Sequence, residues 1–283
     1  MRSNESLELP TFKVGDENCS ISIDGQSPVF ILGPCVMEEE DFVWNMAKEL
    51  VEISRDLKFS LIFKASYDKA NRTSIDSFRG PGVKLGCDIL RQISKEFSVP
   101  VTTDVHTTEE VEIASEMIDF LQLPAFLCRQ TDLITAAGRS GRPVNVKKGQ
   151  FLSPMDIKPI AKKLQAVGCN NFVFTERGST FGYNNLVADM RSLFWIREQG
   201  YRVIFDATHS VQRPGGLGDS STGDGYLAPV LAKAAVAVGC DGVFIETHPN
   251  PIKAKSDGPN QVPLDQLKPL IEKLIKIHTI SKP

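Results

Sequence analysis

No stretch of the 283-residue chain approaches the roughly 20 consecutive apolar residues that a membrane-spanning helix needs, so no membrane partner is expected. The first ten residues, MRSNESLELP, lack the apolar core and small-residue cleavage pattern of a secretory signal. A surplus of basic charge is missing too. The net charge is −3 and the isoelectric point about 5.9, so bulk charge attracts no nucleic acid, and any anion site must be a local cluster. The six cysteines lie at irregular intervals in hydrophobic segments. That spacing argues against a disulfide framework and for reduced thiols in a cytoplasmic protein. Finally, no G-x-G-x-x-G follows the first apolar run, which counts against an open dinucleotide-binding sheet.

What is present is globular composition, with 41% hydrophobic and 24% charged residues, which sets disorder aside. Short β-branched runs recur at 29–32, 60–63, 99–102, 120–123, 144–146, 172–174, 203–205 and 243–245. Helical patterns follow at 41–57, 83–97, 109–117, 132–139, 155–167, 188–199, 227–238 and 264–278. Eight strand–helix units in series predict parallel βαβ units closing into a (β/α)8 TIM barrel over 28–283. Ser153-Pro154 reads as an N-cap with proline at the first helical position, and Gly168, Gly200 and Gly239 as helix C-terminal glycines. Before the barrel, residues 1–27 form an N-terminal extension. Within it, 12–14 and 20–23 flank a polar stretch and predict a hairpin that closes the barrel bottom.

In such a barrel the active site lies at the C-terminal ends of the strands. Each run here ends in chemistry-bearing residues. The first leads to Cys35 and the second to Lys64, Ser66, Lys69, Asn71, Arg72 and Thr73. The third leads to Asp104 and His106, and the fourth to Gln122, Ala125 and Arg129. The fifth ends in Lys147 and Gln150, the sixth in Arg177, the seventh in Asp206 and His209, and the eighth in Glu246, with Asp257 beyond. Lys64, Lys69, Arg72, Arg129, Lys147 and Arg177 would converge in the mouth of an acidic protein, which points to an anionic substrate. Two anions fit: one on Lys147 and Arg177, another on Arg72 and Arg129. The plainer alternative is that each cation pairs with a neighbouring carboxylate. Cys35, His209, Glu246 and Asp257 suit a borderline divalent ion such as Zn, Fe(II) or Mn, although a single cysteine at a strand end is commonly just a small core residue.

At these strand ends the sequence resembles the 3-deoxy-D-manno-octulosonate 8-phosphate (KDO8P) synthases. The resemblance spans about residues 28–270 and rests on FKASYDKANRTS, TDVH, LQLPAFLCRQTDL, NVKKGQF, TERGSTFGY, FDATHSVQ and IETHPNP. The related 3-deoxy-D-arabino-heptulosonate 7-phosphate (DAHP) synthases typically carry Lys-Pro-Arg-Thr after the second strand. This chain has Lys69-Ala70-Asn71-Arg72-Thr73, the KDO8P synthase form, with Thr73-Ser74 where many members have Ser-Ser. Cys35 stands where metal-independent members carry Asn, so the resemblance implies the metal-dependent class. One divalent metal per subunit is then expected on Cys35, His209, Glu246 and Asp257.

The resemblance implies condensation of phosphoenolpyruvate with D-arabinose 5-phosphate and water in a homotetramer. Lys147 and Arg177, with Gln122 and the Ala125 backbone, are expected at the phosphoenolpyruvate phosphate. Lys69, with Lys64 and Gln150, is expected at its carboxylate. Ser66, Asn71, Arg72 and Thr73 are expected at the sugar phosphate, and Arg129 there or at a subunit contact. Lys69, Asp104, His106, His209 and Asp257 are the candidates for catalytic work, with Asp206 holding His209, Tyr183 at the mouth, and 214–224 as a lid. Rival readings are a DAHP synthase using erythrose 4-phosphate, an imine-forming aldolase using Lys147 or Lys64, and a non-catalytic phosphosugar-binding barrel.

Overall fold

The computed structural model describes residues 8–71, 74–215 and 222–281. Eight parallel strands form the barrel wall: β1 (Val29–Gly33), β2 (Leu61–Lys64), β3 (Val101–Asp104), β4 (Phe120–Leu123), β5 (Val144–Lys147), β6 (Phe172–Glu176), β7 (Val203–Asp206) and β8 (Gly242–His248). Each pairs with its neighbours in sequence, and β8 also pairs with β1 through Gly242↔Val29 to Glu246↔Gly33, which closes the ring. The connections carry α1 (Glu40–Leu57), α2 (Val83–Phe97), α3 (Thr108–Ser115), α4 (Thr131–Arg139), α5 (Lys158–Ala166), α6 (Arg191–Glu198) and α7 (Ala228–Val238), and α8 (Leu264–Ser281) follows β8.

Two-residue alternation along each strand separates two cores. Outward residues such as Phe30, Phe63, Leu121, Val146, Phe174 and Phe205 pack under the helices. The inward set Ile31, Ile62, Phe120, Val173, Ile204 and Phe244 fills the barrel axis. Two residues further along, the inward positions turn polar: Lys64, Asp104, Gln122, Lys147, Thr175, Asp206 and Glu246. The apolar lower layers are thus a packed floor, and the polar layer above is a site.

The N-terminal hairpin, Phe12–Val14 against Ile21–Ile23, seals the bottom as expected. Its Phe12, Val14 and Ile23 join the axial cluster. Arg202 tethers the segment before the hairpin. It donates to the Pro10 and Leu9 carbonyls at 2.9 and 3.1 Å, and pairs with Asp241 at 2.8 Å.

Helix punctuation agrees where side-chain chemistry sets it. Ser153 accepts from Met155 N while Asp156 reaches back to Ser153 N, and Gly239 closes α7 at φ 101°. The expected helix 155–167 instead begins as a 3-10 turn, Pro154–Ile157, before α5. The left-handed residues ending α1 and α2 are Lys58 and Ser98, which carry no glycine signal. Cys87, Cys128, Cys169 and Cys240 are buried, whereas Cys19 is half-buried. Of the lid expectation, Gln212–Arg213 pairs with Thr222–Gly223, and 216–221 lies outside the described residues. Among the described residues, no helix is long and apolar enough to cross a membrane.

Candidate active site

The polar ends of the strands open into one cavity of about 600 Å³. Lys64, Lys69, Asn71, Asp104, His106, Gln122, Ala125, Lys147, Gln150, Arg177, His209, Glu246 and Asp257 all line it. Ser66 and Cys35 lie beneath that lining, each bonded to a residue that faces it. Arg72 and Thr73 lie outside the described residues. Arg129 does not join the cluster. It sits exposed on the turn before α4, away from the cavity, because the 3-10 turn Ala125–Leu127 carries the chain over the rim first. Tyr183 likewise does not line the cavity and is 97% exposed.

At the β5–β6–β7 side, Lys147 is buried on the ring of Phe244, its Nζ 3.2 Å from the centroid, and ion-paired with Asp206. Burial lowers the Lys147 pKa, and Asp206 opposes that shift. Asp206 also accepts from His209 Nδ1 at 2.8 Å and from His209 N at 2.9 Å. Burial works against its charge, yet His209 and Lys147 hold the Asp206 carboxyl far below the usual range. Arg177 donates through Nη2 to Gln212 at 2.6 Å, while its buried Nη1 donates to no protein atom among the described residues. Gln150 Oε1 is similarly buried without a partner. Buried polar groups are nearly always satisfied, so an unpartnered guanidinium N–H beside a cavity marks a place for an anion.

Across the cavity, hydrogen bonds all run toward Asp104. Thr175 donates to Asn145 (2.6 Å), Asn145 to Gln122 (2.9 Å), and Gln122 to Asp104 (2.7 Å), with Ser66 donating from the other side (2.6 Å). Registers β3–β4 and β4–β5 put Asp104, Gln122 and Asn145 side by side, which makes the chain possible. Burial opposes charge on Asp104, but Lys69, Lys64 and Ser66 keep the carboxyl well below the ordinary range.

The β8–β1 register puts Glu246 level with Gly33, two residues before Cys35. Ligand atoms of Cys35, Glu246 and Asp257 lie within 4.8 Å of one another, and His209 Nε2 is 3.6 Å from Glu246 Oε2. Lys64 donates to Glu246 at 2.6 Å and to the Cys35 carbonyl at 2.8 Å, and Lys69 Nζ lies 3.9 Å from Glu246. Against the cost of burial, Lys64, His209 and Lys69 lower the Glu246 pKa to about 2. Burial, then Glu246, pushes the Cys35 thiol far above its ordinary value, and Ser256 Oγ lies 2.8 Å from its sulfur. A thiol in that setting becomes a thiolate only beside a strong local cation. The donor set fits a borderline divalent ion: one sulfur, two carboxylates, and an imidazole whose Nδ1 is already held by Asp206, leaving Nε2 to bind.

Sequence reasoning missed the partners. Asn145 and Thr175 carried a readable signal, since both are polar residues at inward positions of otherwise apolar runs. Ser256, Gln212 and the Lys147–Asp206 pair carried none, because they meet across 35 to 221 residues of sequence.

Fold and cavity together define a (β/α)8-barrel enzyme with a site for multiply anionic substrates. The sequence matches the DAHP synthetase I family over residues 11–282, and the chain belongs to that family. It is similar to the 2-dehydro-3-deoxyphosphooctonate aldolase of Geotalea daltonii, at 53% identity over 264 residues, 93% of this chain and 97% of the relative. It is also similar to proteins of that name from Cyanothece sp. (54% over 256 residues, 90% and 94%) and Desulfatibacillum aliphaticivorans (51% over 268 residues, 95% and 97%).

Proposed function

We propose that this chain condenses phosphoenolpyruvate with D-arabinose 5-phosphate and water, giving 3-deoxy-D-manno-octulosonate 8-phosphate and inorganic phosphate. The observation that carries the reading is Arg177, buried beside Lys147 with an unpartnered Nη1 at the mouth of the barrel. The family's name alone suits a seven-carbon product. The relatives' name, an octonate, requires a five-carbon aldose to join the three carbons of phosphoenolpyruvate.

Lys147 and Arg177 bind the phosphoenolpyruvate phosphate, with Gln122 and the Ala125 backbone beside it. Lys69 and Lys64 face the carboxylate. Asn71 and Arg72 bind the sugar phosphate, with Ser66 and Thr73 as its further candidates. Fixed cations of this kind stabilise charge developing on the reacting oxygens without reorganising.

Among the described residues, the five cations lining the cavity, Lys64, Lys69, Lys147, Arg177 and Lys255, are matched by the carboxylates Asp68, Asp104, Asp206, Glu246 and Asp257. A divalent ion held by Cys35, His209, Glu246 and Asp257 tips that balance toward anionic substrates. Zn, Fe(II) and Mn are the candidates, and bound there such an ion supplies Lewis-acid charge for a carbonyl or a water.

Imine formation at Lys147 is the second reading, favoured by the lowering of its pKa on burial. Its ion pair with Asp206 and its seat on Phe244 keep the nitrogen engaged, which opposes that reading. Borohydride trapping separates the two, and the condensation predicts no trapped lysine.

A cytoplasmic homotetramer is proposed as the working form. The exposed Phe126, Phe151, Phe181 and Tyr183 support association through apolar surface, and light scattering tests it. The function itself is tested by phosphate release. One phosphate should appear per arabinose 5-phosphate consumed, and none when either substrate is left out. Phosphate release from phosphoenolpyruvate alone would overturn the reading.

A further inference from the structure

Thr107-Thr108-Glu109-Glu110 has the sequence of a capping box at the start of α3, and Thr107 does accept from Glu110 N at 3.2 Å. In the usual box the glutamate then reaches back to the N-cap N–H. Here its Oε2 takes three other donors: His106 N at 2.7 Å, His106 Nδ1 at 2.9 Å and Tyr67 OH at 2.7 Å. The carboxylate has been drawn off the helix and onto one histidine. Tyr67, fully buried and set edge-on to the His106 ring, fixes it there.

Two consequences follow for His106. With Nδ1 donating to Glu110, the ring is oriented so that Nε2 remains for what the cavity holds, and His106 lines that cavity next to Asp68, Lys69 and Asn71. The charges facing it are mostly negative: Glu110 from α3, Asp104 from β3, and Asp68 from the segment after β2. Arg79 pairs with Asp68, and Lys69 lies beyond Asp104. Burial works against a charged ring, but the Glu110 hydrogen bond, then Asp104, raise its pKa above the ordinary value. The hydrogen bond and the neighbouring carboxylates both favour the protonated ring.

We propose that Glu110 is a positioning residue that holds His106 with its Nε2 proton directed into the sugar side of the cavity, where that proton goes to the aldehyde oxygen during condensation. The inference rests on the proposed function. As C3 of phosphoenolpyruvate bonds to the aldehyde carbon, the carbonyl π pair moves onto oxygen, and that oxygen takes the Nε2 proton. Water adds to C2 and gives up a proton, which restores the imidazolium. The C2–O bond then breaks and the electron pair leaves with phosphate, which takes the hydroxyl proton as the C2 ketone forms.

The test is the Glu110→Gln variant, in which an amide oxygen still accepts from backbone and tyrosine but the charge is gone. Imidazole ¹⁵N–¹H spectra of the full chain, with the His106 signals assigned through His106→Gln, read both tautomer and titration. In the unsubstituted chain His106 should show a protonated Nδ1. In Glu110→Gln its midpoint should fall by about one pH unit or more. The alkaline limb of kcat should move down by the same amount, with the phosphoenolpyruvate KM within about twofold. An unmoved midpoint would overturn the inference, and so would a moved midpoint with superimposable kcat–pH profiles. Failure of the proposed function looks different: the unsubstituted chain itself would then make no product.

Discussion

Lys147 and Arg177 share a side of the cavity but differ in what they leave behind when removed. Lys147 is paired with buried Asp206, so Lys147→Ala strands a carboxylate and should cost about 3–5 kcal/mol of stability as well as phosphoenolpyruvate affinity. Among the described residues, the Arg177 guanidinium bonds to neutral Gln212 and ion-pairs with no carboxylate. Arg177→Ala should therefore lower phosphoenolpyruvate affinity by about 10- to 100-fold, the loss of a charged hydrogen bond of roughly 1.5–3 kcal/mol, with a smaller change in stability. Calorimetry and denaturant titration of both variants check the contrast, and unchanged binding in both would contradict the placement. Cys35 makes a separate residue-scale prediction. Cys35→Ser replaces a thiolate donor by a poorer hydroxyl, so elemental analysis after dialysis should find less metal retained per chain. Retention equal to that of the unsubstituted protein would remove Cys35 from the ligand set.

At the scale of elements, α2 meets the segment after β2 at Gly86, where an added Cβ would lie 2.3 Å from Tyr67 Cβ and 3.2 Å from Met37 Sδ. Gly86→Ala should thus cost about 1–3 kcal/mol through overpacking, read as a lowered melting temperature. Because Tyr67 holds Glu110, the same variant should also loosen the His106 pair. A stable variant with unaltered activity would show that this packing is slack. The elements themselves were legible because barrel strands and amphipathic helices write different periods into sequence. The eight runs fell on β1 to β8 with end shifts of up to three residues. The 3-10 turn Pro154–Ile157 and the left-handed Lys58 and Ser98 were not legible, since they depend on how the chain leaves one packed element for the next. The same limit applies to the site. The rule that a barrel's site lies at the C-terminal ends of its strands picked out the residues that assemble the cavity lining. It gave no account of pairing between strands: Asp206 was expected to hold His209 and does, but the Asp104 chain and the Lys147–Asp206 pair became visible only with the structure. Arg129 is a different case: near a strand end in sequence, it lies exposed and outside the cavity lining, which leaves the subunit contact as its expected place.

On the whole-molecule scale, the site couples stability to pH. Glu246 and Glu110 are both lowered from 4.5 to about 2 in the folded chain, by Lys64, His209 and Lys69 in one case and by His106 and Tyr67 in the other. A carboxylate with a depressed folded pKa contributes stability that is complete above its unfolded value and is lost as pH falls through the folded value. The protein should therefore lose stability progressively between about pH 4.5 and pH 2, measured by denaturant midpoints across that window, and Glu110→Gln should flatten part of the slope. A flat profile there would mean that these carboxylates carry no special stabilisation. The central claim is the condensation itself, and it is tested most directly by kcat/KM with two aldose phosphates. With phosphoenolpyruvate saturating and a divalent metal present, D-arabinose 5-phosphate should be used far more efficiently than erythrose 4-phosphate, giving an eight-carbon product by mass. Equal efficiency, or preference for the four-carbon sugar and a seven-carbon product, would contradict the account.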